Sequence, residues 1–234
     1  ILKLDILLVG GDVISENILD HYLQNNIKIV NAYGPTESTV CSSLNHYREN
    51  DISQNNIGSP ISNTKAYILD NNLSLVPIGG IGELYVGGVG VARGYLNRPE
   101  LTSERFIANP FQTEEEKLDT RYGLVGCNAR LYKTGDLVRW LPDGNLEYIG
   151  RSDFQVKIRG FRIELGEIES VLSSYSNIKQ CVVIAREHNM DTNTISNSSK
   201  YLVAYYTTTG EEKVDDEELR TYLLSKLPDY MVPS

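Results

Sequence analysis

The chain is 234 residues long, 41% hydrophobic and 23% charged, with 22 basic against 31 acidic side chains and a formal net charge of −9. That length and apolar fraction suffice for one large domain or two small ones with buried cores, and the acidic balance argues against nucleic-acid binding, which needs clustered Lys and Arg. Cys41, Cys127 and Cys181 are odd in number and far apart, so neither a disulfide framework nor a zinc knuckle is expected; no run approaches the roughly 18 apolar residues of a membrane span, and a cytoplasmic protein with reduced thiols is the expectation.

Residues 4–9 form a short apolar run closed by Gly10-Gly11-Asp12, the pattern of a buried parallel strand opening into a loop. A helix is expected next, capped by Ser15, with Ile14, Ile18, Leu19, Tyr22 and Leu23 on one face. Residues 27–30 then complete a β-α-β unit. The following NAYGPTEST, residues 31–39, is polar and turn-rich just past a strand end, where open α/β sheets place ligands.

From Ile57 the texture changes to short β runs at 65–69, 82–86 and 129–132 separated by Gly, Pro and Asn, read as a small β-rich subdomain reaching Ile149. Residues 99–106 predict one short helix, and 112–128 a polar, acidic, exposed loop. Two hairpin signals follow, Pro142-Asp143-Gly144 and Gly160, on either side of a polar joint at residues 150–153. Beyond it the pattern predicts a helix from about Leu165 with Leu165, Ile168, Leu172 and Tyr175 on one face, strands at 181–185 and 201–207 around an Asn/Ser/Thr-rich loop, and a last helix capped by Asp215 or Asp216. The fold class is therefore α/β and α+β: the end of an α/β core (about 1–45) with a β-rich subdomain (about 57–150), then a compact α+β unit over 153–234. An apolar strand without an initiator Met at the start, and LPDYMVPS at the end, read as cuts from a longer polypeptide.

Residues 87–94, GGVGVARG, resemble a dinucleotide fingerprint but fail it on spacing, because Arg93 stands where Gly or Ala is needed; a structural turn is the expectation. Tyr33, Thr36 and Glu37 offer an aromatic face, a hydroxyl and a carboxylate on one turn, suited to a base, a phosphate oxygen and a divalent cation, although Gly34-Pro35 is also an ordinary turn. Asp136, after Thr134-Gly135, either closes a turn or serves as a bidentate acceptor for two hydroxyls, with Arg151 complementing it or bridging surface carboxylates. His21, His46 and His188 have no partnered spacing and are expected to be structural.

Taken in order, NAYGPTEST, GELYVGGVGVARGYLNRPELTSERF, YKTGD, LEYIGRSDFQVKIRGFRIELGEIE and LPDYMVPS resemble the adenylation domains of nonribosomal peptide synthetases, members of the AMP-forming acyl- and aminoacyl-activating superfamily, over nearly the whole chain. The resemblance implies activation of an amino acid by ATP to an aminoacyl-adenylate and pyrophosphate, then transfer to the phosphopantetheine thiol of a peptidyl carrier domain. It implies that Tyr33 stacks on adenine, Thr36 touches the α-phosphate, Glu37 helps hold Mg²⁺ and Asp136 binds the ribose hydroxyls with Arg151. Gly10, Gly11 and Asp12 line the adenine side by the same resemblance, with Asn31 and Ala32 among the cofactor-binding positions and Tyr148 near the nucleoside.

Asp153 is then the hinge of a small mobile C-terminal lid, residues 153–234, and Arg159-Gly160 approach the pantetheine arm. Lys157 is left open between a direct role and an exposed strand position. Leu8, Gly10, Ala32, Val40 and Cys41 match the side-chain pocket; all are small or apolar, which implies an uncharged, hydrophobic substrate side chain, and Cys41 is equally readable as a small core residue. A condensation domain and an MbtH-like helper are further partners the resemblance implies, nucleic acid and membrane are not, and an acyl-CoA or aryl-acid ligase of the same superfamily is the alternative, beside a non-catalytic scaffold. The family's glycine-rich phosphate loop, its amino-group aspartate and its late catalytic lysine are not among these residues, so the 234-residue chain is expected to bind AMP weakly without forming adenylate at a useful rate.

Overall fold

A computed structural model of the chain describes residues 4–14, 16–47, 53–120, 126–187, 200–210 and 214–234. The expected Ser15 cap, His188 and most of the loop before residue 200 lie outside them, as does the side chain of Ile18. The chain divides into two compact units, Ile1–Ser152 and Asp153–Ser234.

The first unit begins as read: β1 (Ile6–Gly10), α1 (Glu16–Gln24) and β2 (Lys28–Tyr33), with β1 and β2 parallel in a register running from Ile6↔Lys28 to Gly10↔Ala32. Ile14, Leu19, Ile29 and Tyr47 bury together beneath α1, the apolar side of the helix closing on one face of the pair. The other face is open. Ile6 and Leu8 are exposed, so β1 is buried on one side only, unlike the fully buried strand its unbroken apolar run predicts.

Beyond β2 every pairing is antiparallel. The strands β3 (Ser43–His46), β4 (Asn56–Pro60), β5 (Thr64–Leu69), β6 (Gly82–Gly88), β7 (Phe106–Ala108), β8 (Arg130–Trp140) and β9 (Leu146–Arg151) continue the same sheet in the order β1-β2-β3-β4-β9-β8-β6-β5, with β7 on β8. The α/β segment and the β-rich segment thus share one nine-stranded sheet, joined where β4 pairs with β3 on one side and β9 on the other. A buried amide layer fixes that junction: the Nδ2 groups of Asn31 and Asn45 both donate to the Asn56 carbonyl, at 3.2 and 3.3 Å, and Asn56 Oδ1 accepts from Gly58 N at 2.8 Å. Buried amides demand such partners, which makes the layer a register clamp. Ile57, Ile68, Leu84, Val86, Val138 and Leu146 form the adjoining apolar core.

Helix α2 (Pro99–Arg105) falls where expected, with Pro99 opening it. The acidic stretch 112–128 is less loop-like than its composition suggests. It contains α3 (Glu114–Leu118), started by a capping box in which Thr113 and Glu116 exchange bonds, and Asn128 at its end is buried.

The second unit pairs β10 (Gln155–Ile158) with β11 (Phe161–Glu164), then runs through α4 (Leu165–Ser173), β12 (Ile178–Glu187), β13 (Lys200–Thr208) and α5 (Asp216–Leu224). Asp215 is the cap of α5, its Oδ1 accepting from Glu217 N and Glu218 N at 2.9 and 3.0 Å. Leu165, Ile168 and Leu172 from α4 meet Val183, Leu202, Leu219 and Leu223 in a core drawn from this unit's own residues. No described helix is long and apolar enough to cross a membrane.

Candidate functional site

Residues 133–136, where sequence left Asp136 open between closing a turn and serving as an acceptor, lie inside the single long strand β8. Opposite it the β6 register jumps from Glu83↔Leu137 to Tyr85↔Lys133, and the β9 register jumps between Leu137↔Gly150 and Val138↔Tyr148. Such bulges re-aim side chains without ending a strand. Here the bulge turns Asp136 into the sheet's interior, where it is 3% exposed, and pairs it in register with Arg151 of β9.

Both oxygens of that carboxylate are engaged. Arg151 Nη1 donates to Oδ1 at 2.6 Å, and the Tyr33 hydroxyl donates to Oδ2 from the end of β2. The surrounding backbone is equally well held: Thr134 Oγ1 donates to Leu84 O at 2.7 Å and accepts from Asp136 N, Glu83 Oε1 accepts from Gly135 N at 3.0 Å, and Arg151 Nη2 donates to Thr134 O. A buried charge persists only when paired in this way. Glu83 and Thr134, which sequence reasoning did not single out, are the residues that hold the bulge.

Tyr33, read from sequence as offering an aromatic face, is buried. The residue is 7% exposed and belongs to the core cluster of Ile57, Leu84 and Val138, because β2 points it inward. A buried phenol needs a partner, and Asp136 provides one. Burial first, then the adjacent carboxylate, raises its pKa well above the ordinary phenol value. Tyr148 is half-buried against the same cluster, while its own N–H donates to Asn55 O at 2.8 Å. Asn31 is also spent elsewhere, in the amide layer.

After β2 the chain makes a short 3-10 turn, Thr36–Ser38, followed by Thr39 and Val40, two β-branched residues at φ 61° and 68°. A positive φ is unfavourable for such side chains and persists only where the surroundings impose it. The surroundings here are residues 88–95. Ala92 N donates to Glu37 O at 2.8 Å, Thr39 Oγ1 donates to Gly90 O at 2.7 Å, and the Tyr95 hydroxyl donates to Glu37 Oε1 at 2.6 Å. The glycine-rich loop is therefore structural, as its spacing implied, and its work is to grip this turn. Thr36 is exposed, whereas Glu37 is 8% exposed. Among the described residues no group of three or more His, Cys, Asp or Glu side chains could hold a metal ion. A single carboxylate fits only a cation such as Mg²⁺ that keeps its waters and arrives on phosphate oxygens.

Gly10 and Ala32 are register partners at the C-terminal ends of β1 and β2, and a Cβ on Gly10 would sit 2.5 Å from Ala32 O, so strand pairing itself demands the glycine. Gly11 and Asp12 follow, exposed, with Asp12 Oδ1 accepting from Val13 N. Leu8 and Gly10 share the open face of β1; Val40 is 79% exposed beyond the turn, and burial pushes the half-buried Cys41 thiol up, keeping it neutral.

In the second unit Asp153 Oδ1 accepts from Gln155 N at 3.2 Å. Arg159 and Gly160 form the two-residue tip of the β10–β11 hairpin, both at positive φ (53° and 79°), the backbone of a type I′ turn. Lys157 lies opposite Arg162 across that hairpin and is half-buried.

A parallel pair running into an antiparallel sheet, its second strand tied through Tyr33 to a buried carboxylate on β8, agrees with what this chain is similar to. Residues 2–96 match the AMP-binding enzyme family. N-(5-amino-5-carboxypentanoyl)-L-cysteinyl-D-valine synthase of Amycolatopsis lactamdurans is 50% identical over 208 residues, 88% of this chain and 5% of that protein. An artificially fused adenylation–PCP di-domain NRPS from Klebsiella oxytoca is 28% identical with a TM-score of 0.76, over 98% of this chain and 39% of that one. A four-domain nonribosomal peptide synthetase solved with AMP and glycine is 40% identical with a TM-score of 0.51, over 97% of this chain and 15% of that one. Sequence and fold together place the chain among the AMP-binding enzymes. Within them it is part of an adenylation domain of the nonribosomal peptide synthetase type, and it spans 3–20% of the length of the curated relatives compared.

Proposed function

We propose that the chain supplies the nucleoside-holding part of an ATP-dependent ligase that converts an amino acid to aminoacyl-AMP and pyrophosphate, then passes it to the phosphopantetheine thiol of a peptidyl carrier domain. One observation carries the reading: a buried carboxylate, Asp136 of β8, held by Arg151 of β9 and by the Tyr33 hydroxyl from the end of β2. A fixed carboxylate accepts two neighbouring ribose hydroxyls, and each of its oxygens keeps a further lone pair beyond the bonds from Arg151 and Tyr33. In this reading Gly10–Asp12, Ala32, Tyr33 and Tyr148 form the adenine side. Since Tyr33 is buried, base stacking requires a face of its ring that the core cluster covers.

Thr36 donates its exposed hydroxyl to the α-phosphate, and Glu37 would contribute one oxygen to Mg²⁺ carried on the phosphates, which would supply charge neutralisation for the pyrophosphate leaving group. Leu8, Gly10, Ala32, Val40 and Cys41 offer no charge, which suits an uncharged, hydrophobic substrate side chain. Asp153 is the hinge about which the unit 153–234 turns between the two half-reactions, bringing the Arg159-Gly160 tip, with Lys157 on its flank, toward the pantetheine arm. A condensation domain, an MbtH-like helper and a cytoplasmic setting belong to the same proposal.

Equilibrium titration of AMP into the 234-residue chain tests the reading. The isosteric Asp136→Asn variant loses about tenfold or more in affinity, as expected when a charged acceptor of two hydroxyls is neutralised. Equal affinity in parent and variant, with both folded by circular dichroism, would rule the nucleoside assignment out and favour a scaffold.

A further inference from the structure

Residue 95 lies well outside the turn that carries Glu37, yet its hydroxyl reaches that carboxylate. We infer that Tyr95 is a positioning residue, orienting Glu37 toward phosphate-bound Mg²⁺; this rests on the Mg²⁺ reading of Glu37 given above. Tyr95 is itself fixed by a chain of contacts leading back into the sheet. Its ring meets Phe106 edge-on, centroids 5.5 Å apart at 71°, and Phe106 packs on Tyr132 at 5.1 Å. The Tyr95 N–H donates to Thr102 Oγ1 at 2.9 Å, tying residue 95 to α2.

The segment before Tyr95 is clamped from β8: Arg130 donates through Nη1 to Arg93 O and through Nη2 to Ala92 O, both at 2.8 Å, while its guanidinium lies 5.6 Å over the Phe106 ring. The two anchored residues, Ala92 and Tyr95, are those that bond Glu37, one to its backbone oxygen and one to its side chain. Two fixed points on one glutamate set its backbone and its rotamer together, so the carboxylate is aimed before any cation arrives. A carboxylate that belongs to no group of three or more His, Cys, Asp or Glu among the described residues has few neighbouring ligands to set its geometry, which makes a dedicated hydrogen bond from outside the turn consequential.

The test compares ATP affinity with and without Mg²⁺, and Mn²⁺ electron paramagnetic resonance in the presence of ATP, for the 234-residue chain, Tyr95→Phe and Glu37→Gln. Tyr95→Phe keeps the ring against Phe106 and removes only the hydroxyl. The expected result is a loss of about three- to tenfold in the Mg²⁺-dependent part of ATP affinity, the size of one hydrogen bond to a charged group, a changed Mn²⁺ spectrum, and unchanged AMP affinity. A merely structural role would weaken AMP and ATP alike and would overturn the inference. If Glu37→Gln loses the Mg²⁺ dependence while Tyr95→Phe matches the parent, the positioning role falls and the Glu37 reading stands. If Glu37→Gln keeps the dependence, or the parent shows none, the Glu37 reading falls and takes this inference with it.

Discussion

At the scale of single residues the contact between Tyr33 and Asp136 organises the site, because it joins the last residue of β2 to the bulge of β8 across 103 positions of sequence. Replacing Tyr33 by Phe keeps the ring in its cluster and deletes one bond to a charged acceptor, so the first unit is expected to lose about 1.5–3 kcal/mol, read by urea unfolding followed at the sole tryptophan, Trp140. The phenol also sets a pH dependence. Its pKa is raised on folding, by burial first and Asp136 second, so its contribution to stability is intact below the ordinary phenol value of about 10 and declines as pH rises beyond it. Tyr33→Phe should therefore flatten part of the alkaline loss of stability; burial and Glu83 push Tyr85 up to about 12, and its share remains. The chemistry of Asp136 and Arg151 was legible in sequence as a candidate pair. Their burial was not, since the bulge that turns Asp136 inward depends on Glu83 and Leu84 of a strand some fifty residues away.

Elements were legible to the extent that local pattern decided them. The helix from Leu165 with Leu165, Ile168 and Leu172 buried along it, the Asp215 cap and the turn at residues 142–144 follow from spacing and capping chemistry, while Tyr175, expected on the same helical face, lies past the helix end at Ser173. Two features were hidden for physical reasons. Acidic composition concealed α3 even though Thr113 and Glu116 spell a capping box, and the turn reading of Thr134-Gly135-Asp136 stayed open beside the acceptor reading because a β-bulge and a turn both use a glycine at positive φ such as Gly135. The hairpin tip at Arg159-Gly160 carries this scale's prediction. With φ at 79° for Gly160, an added Cβ is strained whatever the space around it, so Gly160→Ala should destabilise the hairpin by about 1–2 kcal/mol. Amide exchange at Lys157 and Ile158 should speed up accordingly, with the α4–β12 core left as in the parent; unchanged exchange would mean the tip relaxes to another turn.

For the whole molecule, the sequence anticipated two segments in residues 1–152, and the structure joins them in one sheet. The joint is made by the amide side chains of Asn31 and Asn45, which both donate to the backbone carbonyl of Asn56, a partner set by the fold and not by neighbours in sequence. This continuity puts the ends of β1 and β2, the turn bearing Glu37 and the bulge bearing Asp136 on one rigid support, which is what a nucleoside site needs. The most direct measurement is a two-dimensional NMR titration of the 234-residue chain with AMP. Shifts are expected to centre on the amides of Ala32, Tyr33, Gly135, Asp136, Arg151 and Ser152 and to be absent in Asp136→Asn. Shifts centred instead on the cavity of about 250 Å³ lined by Lys65, Glu116, Cys127 and Asn128, or shifts identical in the two proteins, would contradict the nucleoside assignment.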